Sequence, residues 1–171
     1  MKKFSARRIA VLGVLLAMAS VLFVVESYIP PLLPMAPYVK IGLANSVVLF
    51  VIIVFGVWDG LIFVLLKNAI TALAATPFVL PFNLAGSLCA YLAMAALYFL
   101  YPKVSLVSIS VAGAILSNIA RTCVAVLLMQ AQSLYIQLPF VCLFSVLAGI
   151  VIGVLTTFLI KYLPERLTNF S

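Results

Sequence analysis

Histidine is absent from this chain of 171 residues, and the acids number three: Glu26, Asp59 and Glu165. A magnesium–diphosphate or two-metal site needs several convergent carboxylates, and a zinc site needs His or Cys clusters, so both are excluded as sites of this chain. The three cysteines, Cys89, Cys123 and Cys142, lie inside apolar runs without a C-x-x-C spacing and read as small buried hydrophobes. Only 8% of the residues are charged and 67% are apolar, where soluble domains run at roughly a quarter and a half. The mean hydropathy is +1.38. A soluble domain is therefore excluded, and so is room for one beside the membrane part. Six crossings of about 20 residues each take about 120 residues and leave about 50 for ends and connections.

What is present is a succession of apolar segments. Six are read at about 9–28, 41–57, 61–75, 80–100, 104–129 and 138–162. They predict an all-α integral membrane protein with six transmembrane helices and a single domain over 1–171. The breaks carry turn residues: Pro30, Pro31, Pro34 and Pro37, then Gly56 and Gly60, then Pro77 and Pro81, then Tyr101-Pro102-Lys103, then 130–139. Segments two and three are short for a full crossing. The first segment is too long for a signal-peptide core and lacks an A-x-A cleavage site before Glu26, so it is expected to be retained. With both termini cytoplasmic, the inner side receives Lys2, Lys3, Arg7, Arg8, Lys103, Lys161 and Arg166, and the outer side only Lys40. That bias sets the orientation by the positive-inside rule and accounts for the net charge of +7. The expected location is the plasma membrane.

Polar groups are costly in hydrocarbon and face the bundle interior. Lys67 and Asn68 fall in segment three, Asn83 and Ser87 in segment four, Asn118 and Arg121 in segment five, Asn45 at the start of segment two, and Glu26 at the end of segment one. Together with Lys40 they predict one polar site opening outward. Its cations, Lys40, Lys67 and Arg121, outnumber Glu26, and the helix starts on that side add partial positive charge. An anionic ligand balances such a site. The candidate binding residues are Lys40, Asn45, Lys67, Asn83, Asn118 and Arg121, with Asn118 expected to hold Arg121. The plainer alternatives are internal ion pairing, snorkelling and interhelical hydrogen bonds. Asp59, between Gly56 and Gly60, reads as a turn residue.

The first outer connection, 29–40, is apolar and proline-rich, which favours a stiff lid or a connector on the lipid headgroups. In segment one, Ala6, Ala10, Gly13, Ala17 and Ser20 fall on one narrow helical face. Such a stripe admits close approach of another helix, within the fold or from a partner subunit. Gly149 and Gly153 form a lone G-x-x-x-G that reads as internal packing.

Val39-Lys-Ile-Gly-Leu-Ala-Asn45, Phe82-Asn-Leu-Ala-Gly-Ser87 and Val111-Ala-Gly-Ala-Ile-Leu-Ser-Asn-Ile-Ala-Arg121 together resemble the heptaprenyl diphosphate synthase component I family, also called the Gx transporter family. The resemblance runs over nearly the whole chain. That family is in turn similar to the substrate-binding S components of energy-coupling factor (ECF) transporters. The likeness implies six helices with both ends inside, and a ligand toward the outer side under the first connection. It also implies docking to a membrane T component through small residues on helix one, here Ala6, Ala10, Gly13 and Ala17. ATP is used by two partner ATPases, and no cofactor is bound by this chain. Prenyl diphosphate synthases hold magnesium with D-D-x-x-D motifs, and a chain with one Asp does not carry that catalysis.

Two functions follow as expectations. The first is the substrate-binding subunit of an ECF-type importer for a small anionic, partly apolar molecule such as an isoprenoid phosphate or a quinone precursor. The alternative is a non-catalytic membrane accessory subunit of a prenyl diphosphate synthase. Neither is an enzyme.

Overall fold

The computed structural model describes residues 6–29, 36, 38–74 and 78–162. They form six α-helices and no strand: α1 (Ala6–Tyr28), α2 (Leu43–Phe55), α3 (Val57–Ala74), α4 (Leu80–Tyr98), α5 (Leu106–Met129) and α6 (Leu138–Tyr162), with a 3-10 turn at Gln132–Gln137 before α6. Most of the proline-rich connection lies outside the described residues.

Local chemistry sets the ends. Pro81 sits in the first turn of α4, where its missing N–H has no helical partner to lose. Ser105 caps α5 by accepting from the Ser108 N–H at 3.1 Å, and Gln130 ends that helix in the left-handed conformation. One residue separates α2 from α3: Gly56, at φ 102°, a conformation that costs glycine little. Helix α3 thus starts four residues before the expected position. Asp59 is not a turn residue but lies in the first turn of α3, where the helix dipole favours a carboxylate.

Helix α2 is the axis of the bundle and packs against each of the other five, whereas α1 meets only α2 and α3 among the described residues. Burial follows from this placement. Val48, Leu49, Val51 and Ile52 are shut away with Val64, Met94 and Ile109 in the main core. A second cluster, built on Tyr38, Val39, Phe82, Ala125 and Val141, lies beneath the segment before α2. Gly149 and Gly153 let α6 lie on the backbone of α5, since a Cβ at either would stand 2.6 Å from the Cα of Val111 or Val107. That G-x-x-x-G is internal packing.

Outward faces are apolar: Val14, Met18 and Val21 on α1, and Leu143, Leu147, Val151 and Phe158 on α6, are exposed. Among the described residues, four helical segments are long and apolar enough to cross a membrane: α1, α4, α5 and the run 132–162 that ends in α6. The expectation of six full crossings is therefore met in part. Helix α2 has 13 residues, about 20 Å at 1.5 Å each, short of a hydrocarbon layer of about 30 Å. The chain is an all-helical membrane protein with a short core helix.

Candidate functional site

Antiparallel packing brings the last turns of α1, the first turns of α2 and α4, the middle of α3 and the C-terminal half of α5 to one end of the bundle. There Glu26, Lys40, Asn45, Lys67, Asn68, Asn83, Ser87 and Arg121 line a cavity with Phe23, Gly42 and Ala44. The cavity is tight, with about 10 Å³ open to the centre of a water molecule, room for roughly one water.

Two anchors hold the segment before α2 over this cavity. Gly42 takes φ 86°, which glycine adopts readily, and its N–H donates to the Glu26 carboxylate. Asn118 grips the Lys40 backbone from both sides: the Lys40 N–H donates to its Oδ1 at 3.3 Å and its Nδ2 donates to the Lys40 carbonyl at 3.1 Å. The same amide reaches Ser145 Oγ at 2.9 Å, tying in α6. Asn118 therefore stands behind the cavity wall and positions Lys40. It does not hold Arg121, because its face of α5 turns toward α6.

Asn83 holds Arg121 instead, accepting from Nη1 at 3.2 Å. The guanidinium lies across Gly86, where a Cβ would stand 2.5 Å from Nε, so the small residue on α4 is what lets Arg121 enter the bundle. Asn68 and Ser87 pair with each other at 2.7 and 2.9 Å and close the wall between α3 and α4.

The donors exceed the acceptors. Arg121 Nε and Asn83 Nδ2 are buried without a hydrogen-bond partner, and no hydrogen bond or ion pair among the described residues uses the Lys67 ammonium. Arg121, Asn83 and Lys67 are only 6%, 4% and 4% exposed, a depth at which an unmet donor costs about 1–3 kcal/mol. Lys40 is better placed. Its Nζ donates to Ser27 Oγ at 2.9 Å and lies 4.0 Å from the Phe23 ring centroid. Burial, and then the Arg121 charge, hold the Lys40 ammonium down to about 8, while Glu26 pulls the other way.

Five of the six expected binding residues, Lys40, Asn45, Lys67, Asn83 and Arg121, meet in this cavity, and Asn118 supports it from outside. Glu26, Asn68 and Ser87 join the lining; their polarity inside apolar segments was the available signal. Gly86 carried none that one sequence displays. The small residues Ala6, Ala10, Gly13 and Ala17 are exposed and do not pack inside the fold. At the opposite end, Asp59 forms an ion pair with the buried Arg8, whose guanidinium also donates to the Phe55 carbonyl at 3.3 Å and lies over the Phe55 ring.

No group of three or more metal-ligating side chains occurs among the described residues. No curated protein matches the chain. A family model described as heptaprenyl diphosphate synthase component I matches residues 15–159, a stretch that contains the whole cavity lining, and the chain belongs to that family.

Proposed function

We propose that this chain is a non-catalytic membrane component of a prenyl diphosphate synthase system that binds a small anionic, partly apolar molecule in the cavity at the start of α2. The observation that carries the ligand is the pair of buried donors without a partner, Asn83 Nδ2 and Arg121 Nε, beside the buried Lys67, whose ammonium enters no hydrogen bond among the described residues. The family's description supports the synthase part. Three acids in the chain, with Asp59 bound to Arg8, favour a division of labour in which an Asp-rich soluble partner does the chemistry. Arg7, Arg8, Lys103 and Lys161 share the end away from the cavity, which supports cytoplasmic termini in the plasma membrane and a cavity facing outward.

A second reading is favoured by one observation. The uncovered stripe of Ala6, Ala10, Gly13 and Ala17 suits close approach of another membrane helix. That fits the substrate-binding subunit of an ECF importer, docked to a T component and driven by ATP through two ATPases. Isoprenoid phosphates and quinone precursors are the candidate ligands in both readings.

Gentle detergent extraction of the tagged full chain from its own host separates them. Mass spectrometry of the copurifying proteins is expected to find a soluble Asp-rich synthase. Recovery of a T component with two ATPases, lost on Ala6→Leu plus Ala10→Leu, overturns the first reading in favour of the second.

A further inference from the structure

We infer that the group bound in this cavity is a phosphate monoester, a tetrahedral dianion, rather than a carboxylate. The inference rests on the anion-binding reading above and names the class of anion.

Charge balance is the first argument. Lys40, Lys67 and Arg121 face Glu26, the only acid among the described lining residues. Asp59 is engaged with Arg8 at the far end. The lining thus carries an excess of two positive charges. A carboxylate leaves one of them uncompensated inside the bundle, where a lone charge is costly. A phosphate monoester carries about −1.5 to −2 near neutral pH and closes the balance.

Donor geometry is the second. The unmet donors come from three helices: Lys67 on α3, Asn83 on α4 and Arg121 on α5. A carboxylate offers two oxygens in one plane. A phosphate monoester offers three terminal oxygens in a tetrahedral spread, one for each direction of approach. The guanidinium fork also matches phosphate oxygens well. Among the described lining residues only Phe23 and Ala44 have apolar side chains, so this part of the wall is suited to the head of the ester. Because the cavity has room for about one water, a phosphate enters by pushing aside the flexible ends of Lys40 and Lys67.

The test is titration calorimetry on the detergent-purified full chain, comparing hexyl phosphate with hexanoate so that the tails match. Near neutral pH, hexyl phosphate is expected to bind at least about tenfold more tightly. Lys67→Met should shrink that preference. Glu26→Gln, which keeps an acceptor for the Gly42 N–H, should raise hexyl phosphate affinity by removing the competing carboxylate. Hexanoate binding as tightly as hexyl phosphate overturns the inference while leaving an anion site in place, and binding of neither overturns both. Weaker hexyl phosphate binding in Glu26→Gln at unchanged melting temperature also overturns it. The phosphate source is resolved in nanodiscs. Competition by phosphatidic acid, a monoester, but not by phosphatidylglycerol, a diester, supports a lipid head. Hexyl phosphate binding unaffected by either supports a water-soluble ester. Equal competition by both lipids overturns the requirement for a dianion.

Discussion

Two buried arginines sit at opposite ends of this bundle with opposite fates. Arg8, 5% exposed, has a carboxylate in Asp59, a backbone carbonyl and an aromatic face at Phe55. Arg121, 6% exposed, has one amide oxygen from Asn83 and no ion pair among the described residues. The Nε–H of each arginine is buried without a partner, so the difference lies in the counter-charge. Both are equally removed from water, so burial alone does not separate a structural cation from a binding one. The partner does. Where the chain supplies the counter-charge, the arginine joins α1 to the α2–α3 hairpin. Where it does not, the arginine waits for a counter-charge from outside.

The largest effect should come from breaking the closed pair. Asp59→Asn leaves Arg8 buried beside a neutral group, a change that costs about 3–5 kcal/mol for a buried pair. Thermal unfolding in detergent should show a large drop in melting temperature, and hexyl phosphate affinity in the surviving protein should stay the same. A lost affinity at this far end would erase the distinction between the two sites.

Arg121→Gln should give the mirror image. Removing one charged partner from a desolvated site costs about 2–5 kcal/mol in binding, or at least one to two orders of magnitude in Kd. Stability should hold or rise, because an under-partnered buried charge disappears. Calorimetry and melting on one preparation check both, and a fall in stability with intact affinity would make Arg121 structural.

The smallest effect concerns Lys40 and pH. Burial first, and then the Arg121 charge, hold its ammonium down to about 8 against an ordinary 10.5, with Glu26 opposing. Phosphate ester affinity should therefore be fullest between about pH 7 and 8, where the ester is a dianion (second pKa about 6) and the ammonium is charged. It should weaken by less than about tenfold as the pH rises further, an alkaline fall that Lys40→Met should flatten. Stability moves the other way. Between about 8 and 10.5 the unfolded chain binds more protons at Lys40 than the folded one, so folding without added anion should strengthen with pH across that window.

Much of this was legible in the sequence, and the limits have physical causes. Proline and glycine act through their own backbone, so the breaks at Pro81 and Gly56 could be placed to within a few residues. Polar side chains in apolar runs announce themselves, which is why Lys40, Lys67, Asn83 and Arg121 were found. Pairing is different, because it depends on which helices become neighbours. Arg8 read as one more cytoplasmic charge until α1 was laid beside the start of α3. Asn118 read as a ligand because nothing in one sequence says that its partner is a backbone 78 residues away. Gly86 is silent for the same reason, since its value lies in the Arg121 side chain that crosses it.

Helix α2 has one more consequence, for the way the protein feels its lipid. A peripheral helix of 13 residues would be mismatched to almost any bilayer and would have to thin it. Surrounded by the other five, α2 has little lipid contact to match. Changes in bilayer thickness are borne by the tilt of α1, α4, α5 and α6, while the start of α2 stays at a depth fixed by protein packing. The depth of the cavity built on Gly42 and Asn45 is in this way set by the packing around α2 rather than by a match between that helix and the bilayer.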